Sequence, residues 1–229
     1  MCGIGSRRSV EEIIKAGNVK LNGKTIVDLS TDVRVDNDTI IVDGQKVVPI
    51  SKHQYIMLNK PKGCICTNND EKGRKTVFDV LGDFYKDIRL FSVGRLDYDT
   101  EGLLILTTDG DMSNRLMHPQ FEIPKTYIVK LEGEVVESDL NKIRKGVIVD
   151  GTITKKCRAR LLSFEKGISR IEVVISEGRN RQVRKMFESI NRDVIFLKRT
   201  AIGDIKLGGL YRGEHRDLKP IEIDYLKKL

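Results

Sequence analysis

Metal ligands, membrane spans and nucleotide motifs are what this chain has least of, and each absence narrows its chemistry. Its four cysteines (Cys2, Cys64, Cys66, Cys157) and three histidines (His53, His118, His215) are scattered. Cys64-Ile65-Cys66 is not a Cys-x-x-Cys pair, and no second pair follows to complete a zinc site. Residues two apart on a strand share a face, so these thiols read as packing groups. No apolar run approaches the roughly 18 residues that a membrane helix needs. The N-terminus lacks the apolar core of a signal peptide. Neither a Walker loop nor G-x-G-x-x-G occurs. The expectation is a cytosolic, reduced, metal-free protein.

Positive charge is in excess. Lys plus Arg is 41 against 33 for Asp plus Glu, a net +8 and a pI near 9.3. That balance favours a polyanion partner without proving one. The 229 residues, 39% of them hydrophobic, fit one large domain or a small one joined to a large one, with enough apolar content for a core.

The densest chemistry lies in residues 91–111. Two apolar strand-like pieces, residues 90–93 and 103–106, flank a polar loop carrying Arg95, Asp97, Asp99 and Glu101. Rigid strands gripping such a loop are a common way to present catalytic carboxylates. Asp97-x-Asp99-x-Glu101-Gly102 imitates half of a calcium loop, but Thr108 stands where its bidentate glutamate belongs and the flanks are strands. A glycosidase pair is neither supported nor excluded by alternate residues in a loop. A solvated acidic turn is the plain alternative.

Elsewhere the chain reads as alternating short elements. Residues 6–17 form a helix, with Ser9 and Glu12 as a capping box and Gly17 as the stop. Strands around Asn22-Gly23 make a hairpin, and alternation returns over residues 39–48. Residues 48–52, with Pro49 and Ser51, read as a linker. Tyr55 to Lys60 is a strand ended by Pro61, and residues 76–81 a short helix. Asp111 is expected to cap a helix through residues 114–117. Residues 123–131, 159–162 and 171–175 are strands, and residues 138–145 a helix. On a helix starting near Asn180, Val183, Phe187 and Ile190 share the apolar face, with Arg181 and Arg184 opposite. Lys155, Lys156, Arg158 and Arg160 form a basic run, which is a solvated face unless it borders a nucleic-acid channel.

The segment Gly94-Arg95-Leu96-Asp97-Tyr98-Asp99-Thr100-Glu101-Gly102-Leu103-Leu104 closely resembles the G-R-L-D-x-x-T-x-G-L-L signature of bacterial ribosomal RNA pseudouridine synthases of the RsuA/RluB/RluE/RluF type. Lys125-Thr126-Tyr127 is similar to the Lys-x-Tyr element of that family, and residues 177–184 to its Glu-Gly-Arg-x-x-Gln-Val-Arg/Lys element. Gly5-Ser6-Arg7-Arg8 with residues 17–23 resembles the S4-type RNA-binding module, here lacking the helical turn or two that normally precede it. Residues 1–52 carry eight basic and seven acidic side chains, so a basic patch there must come from arrangement.

The resemblance runs from about residue 5 to 220 and implies an α+β fold. An S4-like module over residues 1–48 and a linker over 49–53 would precede a catalytic domain over 54–229, built on a mainly antiparallel mixed sheet with flanking helices. It implies Asp97 as the catalytic aspartate, Tyr127 stacked on the target base and Arg184 paired with Asp97. Arg7, Arg8, Lys20, Lys60, Arg95, Arg179 and Arg181 become candidates to meet RNA. Ile205 and Leu207 are expected to pack beneath the site. No cofactor is implied, because breaking and re-forming a glycosidic bond conserves atoms and involves no redox change. The expected partner of the monomer is ribosomal RNA. The Arg115-to-Pro119 and Lys125-to-Tyr127 context looks more like the large-subunit RluB branch than the small-subunit one. A non-catalytic ribosome-assembly factor on the same fold is the competing class, and a glycoside hydrolase a distant third.

Overall fold

The computed structural model describes residues 2–35, 37–50, 52–68, 70–86 and 88–229. The chain divides into two compact units, Met1–His53 and Gln54–Leu229. Ser51 of the expected linker lies outside the described residues.

The first unit holds α1 (Arg7–Lys15) and four short strands, β1 (Val19–Leu21), β2 (Lys24–Ile26), β3 (Ile40–Val42) and β4 (Gln45–Val47). They form an antiparallel sheet in the order β2-β1-β3-β4. Asn22 (φ 49°) and Gly23 (φ 83°) both occupy the left-handed region, as a tight two-residue hairpin turn demands. The helix cap differs from expectation: Ser6, not Ser9, accepts the first free N–H, from Ser9 at 3.0 Å. Glu12 then sits too deep in the helix to close a box. Val19 and Val42 are the buried hydrophobic residues among those described here, a small core for 53 residues.

The second unit begins with β5 (Tyr55–Lys60), α2 (Val77–Leu81), β6 (Phe91–Val93), β7 (Glu101–Thr107) and α3 (Gly110–Met117). Next come β8 (Lys125–Glu132), α4 (Glu137–Lys145), the small hairpin β9 (Ile148–Val149) and β10 (Thr152–Ile153), and the long hairpin β11 (Arg158–Glu165) and β12 (Ile168–Ile175). It closes with α5 (Gln182–Glu188), β13 (Val194–Ile202), β14 (Ile205–Lys206), β15 (His215–Asp217) and α6 (Pro220–Lys228). One sheet runs β11-β12-β8-β13-β7-β5-β15, with β6 paired to β7 and β14 to β13. Among the described residues the β13–β7 ladder of this sheet is parallel and its other ladders are antiparallel. This is the mainly antiparallel mixed sheet expected.

Side-chain alternation distributes the core. Ile56, Leu58, Leu104 and Leu106 enter one cluster with Val129, Ile171 and Phe187. Tyr55, Met57, Leu103 and Ile105 enter a second with Met112, Leu116 and Leu226. The central strands β5 and β7 are therefore buried on both faces and read as unbroken apolar runs. β8 and β12 alternate buried with part-exposed residues, because only one of their faces is covered. Ile205 and Leu207 join the second cluster, with Val93, Leu103 and Ile202. Asp109, rather than Asp111, caps α3 by accepting from the Met112 N–H at 3.0 Å. None of the sequence patterns above anticipated α6, although Pro220 in its first turn and Glu222 three residues after Lys219 are ordinary start signals.

Candidate active site

The loop carrying Asp97 leaves β6 and enters β7, two strands paired Val93 to Ile105 and Phe91 to Thr107. Its path is fixed from below by Lys60, at the end of β5 opposite Gly102. Lys60 is fully buried. Its Nζ donates to the carbonyls of Asp97 (2.9 Å), Thr100 (3.0 Å) and Pro61 (3.1 Å). Burial pulls the ammonium below its ordinary range, opposed by the Cys64 and Cys66 thiols and by Asp97. Three carbonyl acceptors satisfy the three protons of an ammonium, which is how a chain tolerates a buried lysine. Lys60 was expected to meet RNA phosphate; it is instead an internal brace, because its charge is spent on the loop backbone.

Two further contacts hold the loop. The Gly63 N–H donates to the Tyr98 carbonyl at 2.8 Å. The Cys66 thiol donates to the Leu96 carbonyl and accepts from the Leu96 N–H, both at 3.4 Å. At the far end, Gly102 has φ 108°, and a Cβ there would stand 2.1 Å from the Arg199 carbonyl oxygen. Only glycine allows β13 to approach β7 so closely at the Arg199–Gly102 register.

Asp97 and Tyr127 line one cleft of about 1030 Å³. Tyr127 lies on β8 and is buried with 9% of its surface exposed, so its ring is a wall of the cleft. Asp97 is half-buried. Arg95, Arg179 and Arg181 also line the cleft.

Arg184 does not pair with Asp97 as expected. Its Nη1 donates to the Val194 carbonyl at 2.9 Å, and its Nη2 lies 3.0 Å from the Asp99 carboxylate. Arg181 reaches the other oxygen of Asp99 at 3.5 Å. Burial lowers the Arg184 pKa; Asp99 opposes that most, and Asp97 adds a smaller attraction. Arg184 thus fixes the loop tip through Asp99, two residues from Asp97.

The remaining basic candidates sort by environment. Arg7, Arg8 and Lys20 are exposed on the first unit, and Arg95 and Arg181 on the second. Arg179 is half tied down: its guanidinium donates to the carbonyls of Thr152 (3.2 Å) and Ile153 (3.0 Å) and pairs with Glu177 at 3.2 Å. The basic run splits, with Lys155 on the cleft and Arg158 and Arg160 on a different cavity.

Arg199 was missed. It is 4% exposed, lines the cleft, donates from Nε to the Leu103 carbonyl at 2.8 Å and keeps Nη2 buried without a hydrogen-bond partner. An arginine at an inward-facing position of an apolar strand was the readable signal. Lys125, which also lines the cleft, has its pKa lowered by burial and then by Arg199.

The chain is similar to known proteins over nearly its whole length. Residues 54–189 match the family model described as RNA pseudouridylate synthase. The chain is 45% identical to the ribosomal large subunit pseudouridine synthase B of Bacillus subtilis (strain 168), over 99% of this chain and 92% of that protein. It is 39% identical to the protein of the same name from Vibrio cholerae, over 99% of this chain and 72% of that protein. A solved pseudouridylate synthase superposes with a TM-score of 0.72 at 34% identity, covering 98% of this chain and 95% of that one.

Proposed function

The chain belongs to the RNA pseudouridylate synthase family, and from that premise we propose that the Asp97 cleft isomerises a uridine of large-subunit (23S) ribosomal RNA. The protein is an isomerase that converts uridine to pseudouridine in RNA. Large-subunit relatives at 45% and 39% identity support the choice of RNA.

The observation that carries the site assignment is that Asp97 and Tyr127 line the same cleft, with the Asp97 backbone pinned by a buried ammonium. A uridine must leave its helix to be reached, and its base is then held against an aromatic wall. Tyr127 supplies that wall. Asp97 acts at the ribose, by attack on C1′ or by removal of the C2′ proton to give a glycal. The N1–C1′ bond breaks, the uracil turns, C5 bonds to C1′, the C5 proton leaves and N1 takes one up. A positioned carboxylate serves either route. Arg184 and Arg181 hold the loop tip through Asp99, while Arg95, Arg179 and Arg181 lend positive potential to the phosphates. In this reading the first unit is an S4-like module gripping RNA with Arg7, Arg8 and Lys20, and the enzyme works as a cytoplasmic monomer. No helix among the described residues is long and apolar enough to cross a membrane.

Tritium release from 23S rRNA labelled at uracil C5 tests the assignment. The wild type should release tritium, and Asp97→Asn should slow release by at least about a hundredfold while RNA affinity stays near wild type. Substantial turnover by the variant would remove Asp97 from its role. No release by the wild type would point to a non-catalytic RNA binder.

A further inference from the structure

A second concavity, of about 1040 Å³, lies on the face of β8, β12 and β13 opposite the one that carries Tyr127. Tyr127, Val129 and Leu131 point into the core, so Thr126, Ile128 and Lys130 point the other way. The same alternation puts Leu197 and Arg199 on the cleft side of β13, and Phe196, Lys198 and Thr200 on this one. Lys130, Arg158, Arg160, Arg170 and Lys206 on this face are all exposed.

Six cations line the concavity: Lys130, Arg158, Arg160, Arg170, Lys198 and Lys206. Glu172 is the one carboxylate in that lining, and Arg160 engages it at 2.7 Å. Among the described residues, the other five cations have no carboxylate within salt-bridge distance. Lys130 and Arg170 are direct cross-strand partners, a like-charge pairing that destabilises a sheet unless counter-charge is supplied. Lys130 also lies 5.3 Å from the centre of the Phe196 ring, which leaves an aromatic surface amid the charges.

We infer that this outer sheet face is a second RNA-binding surface, which takes the phosphate backbone of a ribosomal RNA segment distinct from the one in the Asp97 cleft. The inference rests on the reading of the protein as an RNA isomerase. A pleated sheet spaces its outward side chains about 6.5 Å apart along a strand and about 4.8 Å between strands. That array of unneutralised cations complements a polyanion. The aromatic and apolar residues between them suit sugars and unstacked bases, which acidic proteins do not offer. The surface would bind without reading sequence, adding affinity for long RNA and leaving the chemistry to the cleft.

The test uses the full chain carrying Lys130→Gln, Arg170→Gln and Lys198→Gln together, with in-vitro-transcribed 23S rRNA as probe. Filter binding at several salt concentrations should show Kd raised roughly tenfold or more and the salt slope reduced by about three. Tritium release at saturating transcript should keep its kcat while KM rises. Each single variant should lower the slope by about one, which keeps the test decisive if the triple variant fails to fold. Wild-type affinity and slope in the variants would overturn the proposal. So would unchanged RNA affinity with lost retention on a polyglutamate resin, which would assign the face to an acidic protein. Absence of tritium release by the wild type would instead sink the isomerase reading, while the binding data still judge this face.

Discussion

Gly102 shows how one residue sets the site. The loop must return to β7 where β13 runs parallel to it, and the backbone of Arg199 occupies the space a side chain would need. Gly102→Ala combines a positive φ with a backbone clash that no rotamer relieves. It should cost on the order of 3 kcal/mol, read as a lowered urea midpoint, together with reduced turnover. A midpoint equal to wild type would mean that β13 yields at no cost. Lys60 teaches the complementary lesson. A lysine beside a proline-glycine turn looks like a phosphate ligand in sequence, yet its position in β5 buries it and points the ammonium at the Asp97 carbonyl.

At the scale of elements, α6 is held to β15 by Arg216 and Glu222, whose side chains meet in two contacts of 2.7 Å. The Arg216 guanidinium lowers the Glu222 pKa, and the Lys219 N–H adds to that. Because the folded value lies below the ordinary 4.5, the unfolded chain takes the proton first as pH falls. The stabilisation is therefore fully present above about pH 4.5 and lost as pH drops through the lower folded value. Thermal melts should place Glu222→Gln below the wild type at pH 7, with the gap shrinking toward pH 3. A gap independent of pH would assign the contact to packing rather than charge. β8 illustrates another element-level point, since its two faces serve different ends: Tyr127 looks into the cleft and Lys130 onto the open basic face.

For the whole molecule, the division at His53–Gln54 predicts unequal autonomy. Both large core clusters belong to residues 54–229, whereas the first unit buries few apolar side chains. A fragment of residues 54–229 should fold with the main thermal transition of the full chain, within a few degrees. If the proposed RNA grip of Arg7, Arg8 and Lys20 holds, its RNA affinity should be weaker than that of the full chain. A fragment that does not fold would show that the second unit depends on the first.

The sequence by itself determined most elements as far as α5 and the acidic loop between two strands, and its resemblance to a known family implied the mainly antiparallel sheet. The elements and the loop follow from alternation and turn residues, which act over a few neighbouring positions. It also singled out Asp97 and Tyr127, which lie 30 positions apart in the chain and line one cleft. Only the tertiary structure decided the partners of the charges. It sent Lys60 inward, gave Arg184 to Asp99, brought Arg199 to the cleft and divided the basic run between two faces of the sheet. The physical reason is that a charge's role depends on its distance to other charges and to water. Those distances are fixed when β13 inserts between β7 and β8, not by anything adjacent in the chain.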